Sequence, residues 1–147
     1  MKAKDVGNLT QTLYKAGIDP LAHDVIIFGN FMYSQDIDKF DIPENIREIW
    51  DCAFANTALT TLYIPATVNY IGDYAFRNTY LNKLVIEERT SDLFIAHFAF
   101  HDNEIDYIDF KGTSENWKQF VTAHNAFDKD VLVMCQGGKS IIPTEES

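Results

Sequence analysis

Residues 42–63 read IPENIREIWDCAFANTALTTLY and residues 64–85 read IPATVNYIGDYAFRNTYLNKLV, two segments that align without a gap at a period of 22 residues. Ile42-Pro43 recurs as Ile64-Pro65, Ile49 as Ile71, Asp51 as Asp73, Ala53-Phe54 as Ala75-Phe76, Asn56-Thr57 as Asn78-Thr79, Leu59 as Leu81 and Leu62 as Leu84. A unit this short cannot bury its own apolar face, so successive units must stack and cover one another. A third copy opens at Ile86 and closes through Ala99-Phe100, Ile105, Ile108 and Phe110 after a two-residue insertion, which makes it 24 residues long. Upstream, Ile37, Phe40 and Ile42 repeat the spacing of Leu59, Leu62 and Ile64, so residues 24–41 read as a degenerate opening turn.

The pattern apolar-x-x-apolar-x-apolar occurs as IDKFDI, LTTLYI, LNKLVI and IDYIDF. Its last three residues alternate in, out, in, which predicts one short strand per repeat and a narrow parallel sheet. The Ala-Phe segment is compact and poor in β-branched residues; it reads as a helical turn, with Phe54, Phe76 and Phe100 stacked as an internal row. The expected fold is an α/β repeat solenoid, right-handed and leucine-rich-repeat-like, of about four rungs.

On these residues the chain resembles the BspA-like leucine-rich repeat family, the bacterial surface-antigen kind, whose pattern couples an Ile-Pro step, an I-G-x-x-A-F turn and an L-x-x-L-x-I strand. Ile71-Gly72-Asp73-Tyr74-Ala75-Phe76 matches that turn, while the preceding repeat carries Trp50 at the Gly position. Family members often end in a G-T-x-x-x-W run followed by a strand ending in Cys and a Gly turn. Gly112 to Trp117, and then Val131 to Gly138, supply both, with Gly-Gly in place of the usual Asp-Gly. The resemblance implies a fold and a binding role, and is almost silent about activity.

A single domain, 1–147, is expected: a helical N-terminal cap over 1–23, repeats over 24–110, a C-terminal cap over 111–138 and a fraying tail over 139–147. Asp5 or Asn8 would start the first cap helix, which runs through Leu13 to Ala16 and stops at Gly17. Thr113 or Ser114 would start a second helix, in which Trp117, Phe120 and Val121 form one apolar stripe against the last rung before the closing strand.

Charge narrows the partners. The 147 residues carry 22 Asp and Glu against 12 Lys and Arg, a formal net charge of -10, yet 46% are hydrophobic, enough for a buried core. Such a chain is a poor ligand for phosphate backbones and for anionic membrane surfaces, so neither direct nucleic-acid binding nor membrane binding is expected. Residues 1–41 hold 6 acids and 4 bases, whereas residues 42–147 hold 16 and 8, so the surplus belongs to the repeats and what closes them. The opening residues lack the apolar run of a secretory signal and no stretch is long enough to span a bilayer, which reads as a cytoplasmic protein. Cys52 and Cys135 stand 83 residues apart with no CxxC spacing, which predicts two free thiols rather than a disulfide framework or zinc site.

No catalytic constellation emerges. Of His23, His97, His101 and His124, only His97 and His101 have the i, i+4 spacing that could share a metal, with Asp102 and Glu104 close by. That pair falls on the Ala-Phe turn, whose repeat already explains the local sequence, so no metal or other cofactor is expected. There is no G-x-S-x-G elbow, and Gly137-Gly138-Lys139-Ser140 lacks the first glycine of a phosphate loop because residue 133 is Val. Cys135 lies in an apolar run and reads as core.

Solenoids bind through the variable positions of successive repeats. Here the outward strand positions form two columns, Lys39, Thr61, Lys83 and Tyr107 beside Asp41, Tyr63, Val85 and Asp109. Two readings of these columns stand: a protein-binding face with tyrosine anchors, or solvated strand residues selected for β-propensity. The expected function is accordingly a non-enzymatic protein-interaction module. An alternative uses the charge differently: a phage or mobile-element product whose carboxylates stand in for phosphates and block a nucleic-acid-handling host protein.

Overall fold

The repeated apolar positions settle into two parallel sheets rather than one. The computed structural model describes residues 25–89, 92–113, 120–123 and 125–142. The first sheet is built from β1 (Val25–Ile27), β2 (Ile46–Ile49), β4 (Tyr70–Ile71), β6 (Leu93–Ile95) and β8 (Phe120–Thr122), side by side in that order. The second holds β3 (Thr61–Ile64), β5 (Lys83–Ile86), β7 (Tyr107–Thr113) and β9 (Val131–Gln136) in parallel, with β10 (Gly138–Ile142) antiparallel to β9 at its edge. The chain alternates between the sheets and so winds a parallel β-solenoid of about four turns.

Register follows the comb read from the sequence. Leu62 pairs with Leu84 and Ile64 with Ile86, and Leu84 continues onto Ile108 across the longer third repeat. Ile49, Ile71 and Ile95 of the first sheet join Leu62, Leu84 and Ile108 of the second in one buried core. The expected strand at Ile37–Ile42 is not formed, although Ile37, Phe40 and Ile42 keep their inward places. That segment precedes the first strand of its sheet, β3, so it has a partner on one side only.

The Ala-Phe segments are not helical turns, and among the described residues there is no helix. Each segment places left-handed residues four apart: Asn30 and Ser34, Cys52 and Asn56, Tyr74 and Asn78, Phe98 and Asp102. A left-handed residue breaks the α-helical run of bonds. The backbone instead divides its amides. Ala53 and Ala55 close four-residue turns onto Trp50 and Cys52, while Cys52, Phe54 and Asn56 donate to Asp73, Ala75 and Arg77 of the next rung at 3.0, 2.7 and 2.9 Å. Asparagine tolerates this conformation better than most residues, which explains the Asn of the Asn-Thr pair. Asn78 Nδ2 also donates to Asn56 Oδ1 at 2.8 Å, so the side chains form a row of their own. The threonine is buried and turns back, Thr57 Oγ1 donating to the Phe54 carbonyl at 2.8 Å.

Stacking continues past residue 110. Phe127 lies on Phe100 at 5.2 Å with 7° between the ring planes, extending the row Phe54, Phe76, Phe100 by one more ring. The helix expected to carry Trp117, Phe120 and Val121 is corrected at its second half, because Phe120 and Val121 lie in β8, paired with Leu93 and Phe94. A parallel neighbour offers those two residues inter-strand bonds, and that outweighs a helical spacing of apolar side chains. Trp117 and the cap helix over 1–23 fall outside the described residues. The tail is also corrected: residues 139–142, expected to fray, are held by β9 through pairs such as Ile141 with Leu132 and Ile142 with Val131. Gly137, at φ 79°, makes the tight reversal between the two strands.

Gly72 is required by a close approach. A Cβ there would sit 2.3 Å from Asp51 Oδ1 and 2.9 Å from the Asp51 amide nitrogen. Asp51 is held at that spot because its Oδ1 accepts the Asp73 amide at 2.9 Å. Gly72→Ala should therefore cost about 1–3 kcal/mol, read as a lower urea midpoint with an unchanged slope. An unchanged midpoint would mean that the rung spacing gives way freely.

Candidate interaction faces

The second sheet turns its outer side chains to solvent at the predicted columns. Thr61 pairs with Lys83, Tyr63 with Val85 and Val85 with Asp109, so the strand residues of the columns are in register. Tyr63 is 44% exposed and Tyr107 43%, and Thr61 and Lys83 are exposed. Adjacent strands lie about 4.8 Å apart, so β3 and β7 are roughly 10 Å apart, and Tyr107 stands diagonally from Tyr63, two residues before the level position Asp109. Val85 corrects the expectation of an exposed site: at 8% exposure it is buried. Its side chain is short and stands in a column between Tyr63 and Asp109, which shade it.

Lys39 and Asp41 are exposed but lie on a segment without strand structure. They reach the face nonetheless, since Lys39, Phe40 and Asp41 line a hollow of about 240 Å³ together with Thr61 and Tyr63. Lys83, Val85, Tyr107 and Asp109 lie further along the sheet, outside it. Burial, and then the hydrogen bond to Glu87 and the charges of Glu87 and Glu44, push up the Tyr63 hydroxyl pKa. Asp109 accepts from Lys111 Nζ at 2.9 Å. The face is thus half-exposed tyrosine over a valine floor, edged by charges of both signs.

The outer side of the first sheet was not singled out by sequence reasoning. Glu48, Tyr70 and Phe94 stand in one register row, with Phe94 40% exposed and its ring stacked on Tyr70 at 5.9 Å. Trp50 is 44% exposed beside them. The only signal was Trp50 at the place where the next repeat has Gly72, a large aromatic where the fold permits no inward side chain.

Among the described residues, His101, Asp102 and Asp128 bring three possible metal-ligand atoms within 4.8 Å of one another. His97, the imagined partner of His101, instead shares a 2.7 Å hydrogen bond between its Nδ1 and Asn125 Oδ1. Both Asp128 oxygens accept the Asp102 amide, at 2.9 and 2.8 Å, and Asp102 Oδ2 pairs with Arg77 Nε at 3.2 Å. In the three earlier rungs the equivalent amides, of Ser34, Asn56 and Asn78, donate to backbone carbonyls. The Asp128 carboxylate takes that role at the end of the stack, a structural use for the group. Cys52 and Cys135 are free and half-buried, and burial raises both thiol pKa values above the usual. No helix among the described residues is long and apolar enough to cross a membrane.

Stacked short rungs, an internal phenylalanine row and an Ile-Pro step opening two of the repeats define a leucine-rich-repeat solenoid, a class whose extended faces serve protein interaction. The chain belongs to the BspA type leucine rich repeat region family, which it matches in six copies over residues 24–128. No curated protein and no solved structure matches it significantly.

Proposed function

We propose that the protein is a non-enzymatic interaction module that engages another protein through the outer face of its second sheet, at Lys39, Asp41, Thr61, Tyr63, Lys83, Tyr107 and Asp109. The observation that carries this reading is the pair of half-exposed tyrosines, Tyr63 and Tyr107, on one face of a rigid parallel sheet. Tyrosine combines a large apolar body with a polar tip and few rotatable bonds, and for that reason it recurs as an interface anchor. Buried Val85, level with Tyr63 and Asp109, supplies a dry floor of fixed shape. Lys39, Asp41, Lys83 and Asp109 form a charged rim that sets orientation rather than affinity.

The test is a comparison of captured partners. A protein retained from native cells by the wild-type chain should be lost when Tyr63 and Tyr107 are both replaced by alanine, with affinity falling at least about 30-fold. The same partner should remain bound to Trp50→Ala, which alters the opposite sheet. Equal retention by the double tyrosine variant would remove the second sheet as the binding face.

A further inference from the structure

A second hollow, of about 440 Å³, opens on the first sheet between Gly29, Asn30, Trp50, Asp51, Cys52 and Tyr70. Gly29 forms part of its wall, and Gly72 occupies the place next to Trp50 in the following rung, its amide donating to the Ile49 carbonyl at 2.7 Å. Trp50 and Tyr70 supply the aromatic walls, and Asn30, Asp51 and Cys52 the rest. Tyr70 is backed by Phe94, with 9° between the ring planes. The Trp50 indole N–H donates to Glu48 Oε1 at 2.9 Å, which uses the ring's single donor and holds it beside a carboxylate.

Charge around the hollow is mostly negative, with Arg77 a cation that acts on the lining Cys52. Asp51 lines it, and Asp73 is tied to Asp51 through its amide at 2.9 Å. Beyond burial, the charges of Asp51, Asp73 and Glu48 push up the pKa of the Tyr70 hydroxyl, so all three carboxylates act at the aromatic wall. Aromatic faces carry negative quadrupole potential, and carboxylates alongside add to it. Such a cavity rejects anions and leaves carboxylates uncompensated over a neutral apolar ligand, whereas a flat or rounded organic cation satisfies both features. The same chemistry already occurs within the chain, where the Arg77 guanidinium lies 5.4 Å from the centre of the Tyr74 ring.

We propose that the Trp50–Tyr70 hollow is a cation-recognition pocket that accepts the guanidinium or ammonium end of a basic side chain presented by a partner protein. Its volume falls within the range that pockets for small groups occupy. The net charge of -10 draws basic surfaces toward the whole molecule, and the pocket gives that attraction a specific seat. The site lies on the sheet opposite Tyr63 and Tyr107, so it stands or falls independently of the tyrosine face.

The experiment is a nitrogen-15 NMR titration of the full chain at constant ionic strength with three probes: N-acetyl-arginine methylamide, its uncharged norleucine counterpart, and tetramethylammonium. The arginine probe should shift the Trp50 indole N–H and the Gly29 and Asn30 amides saturably, at least about 10-fold more tightly than norleucine. Trp50→Ala should abolish the response and Trp50→Phe should retain most of it. Glu48→Gln keeps the ring and should weaken arginine binding several-fold, which decides the matter if Trp50→Ala does not fold. Absence of a saturable shift, an equal response to norleucine, or an arginine response unaltered by Glu48→Gln would overturn the proposal. Tighter binding of tetramethylammonium than of arginine would overturn the assignment to a protein side chain and point to a free organic cation.

Discussion

Phe76→Ala lowers the unfolding free energy by about 3–5 kcal/mol, the range for a phenylalanine removed from a packed core. Phe76 is fully buried, and its ring lies between Phe54 at 5.1 Å and Phe100 at 5.3 Å, each parallel to it within 4°. Loss of that ring removes two aromatic contacts at once and leaves a void in the middle of the row. The void cannot close easily, because the amides of Phe54 and Phe76 donate to Ala75 and Ala99 and hold the rungs at their spacing. An outward position behaves oppositely: Lys83 is exposed on β5, and Lys83→Ala leaves folding stability nearly unchanged. Urea denaturation of both variants checks the contrast. Equal destabilisation by the two would show that the inward and outward positions of the repeat are misassigned.

The parts of this fold that were legible in the sequence are those where one side chain does the same work in every rung. Leu62, Leu84 and Ile108 recur because they meet each other directly, and Phe54, Phe76 and Phe100 because their rings stack, so spacing alone exposes both. The strands of the first sheet left no such pattern. Tyr70–Ile71 is a strand of two residues and Leu93–Ile95 of three, too short for alternation to be distinguished from turn. The turn itself was misread because its first left-handed position holds Cys52, Tyr74 and Phe98, residues with no preference for that conformation. Neighbouring rungs impose it by accepting their amides. Ala126-Phe127 repeats the Ala-Phe pair at a longer interval, and the broken period hid it.

The two candidate faces differ in legibility for a related reason. Tyr63 and Tyr107 could be placed outward from the strand pattern, since alternation fixes which side a residue takes. Val85 shows the limit of that inference: direction follows from alternation, but exposure depends on the size of neighbours. The Trp50 hollow depends on the side chain missing at Gly29 and on the charges of three carboxylates, from two rungs, that act on Tyr70. Such a site is defined by register between units, which only the folded chain displays.

Arg89→Met should cost about 2–4 kcal/mol, an effect that the sequence alone gives no reason to expect. Arg89 stands in the lengthened third repeat and is 2% exposed, the largest fully buried polar side chain among the described residues. Its guanidinium donates to the carbonyls of Pro65 at 3.4 Å and Ala66 at 3.1 Å, and also to that of Val68. Glu87 attends the same turn from the other side, its Oε2 accepting the Ala66 amide at 3.4 Å. One rung earlier a smaller group does the equivalent work, Thr67 Oγ1 donating to the Ile46 carbonyl at 2.9 Å. Burial lowers the Arg89 pKa to about 10, opposed by the nearby Glu87 charge, so the group remains charged at neutral pH. Methionine matches much of the volume while taking the guanidinium from the Ala66 and Val68 carbonyls, each worth about 1–3 kcal/mol when unsatisfied, whereas the Pro65 carbonyl keeps the Val68 amide at 3.2 Å; the recovered desolvation of the guanidinium offsets part of that loss. Arg89→Lys keeps the charge but offers a single nitrogen in place of a planar fork, and should fall between the wild type and Arg89→Met. Urea midpoints in the order wild type, Lys, Met support a hydrogen-bonding role. A methionine variant as stable as the wild type would show instead that Arg89 only fills space, with its charge a burden the fold tolerates.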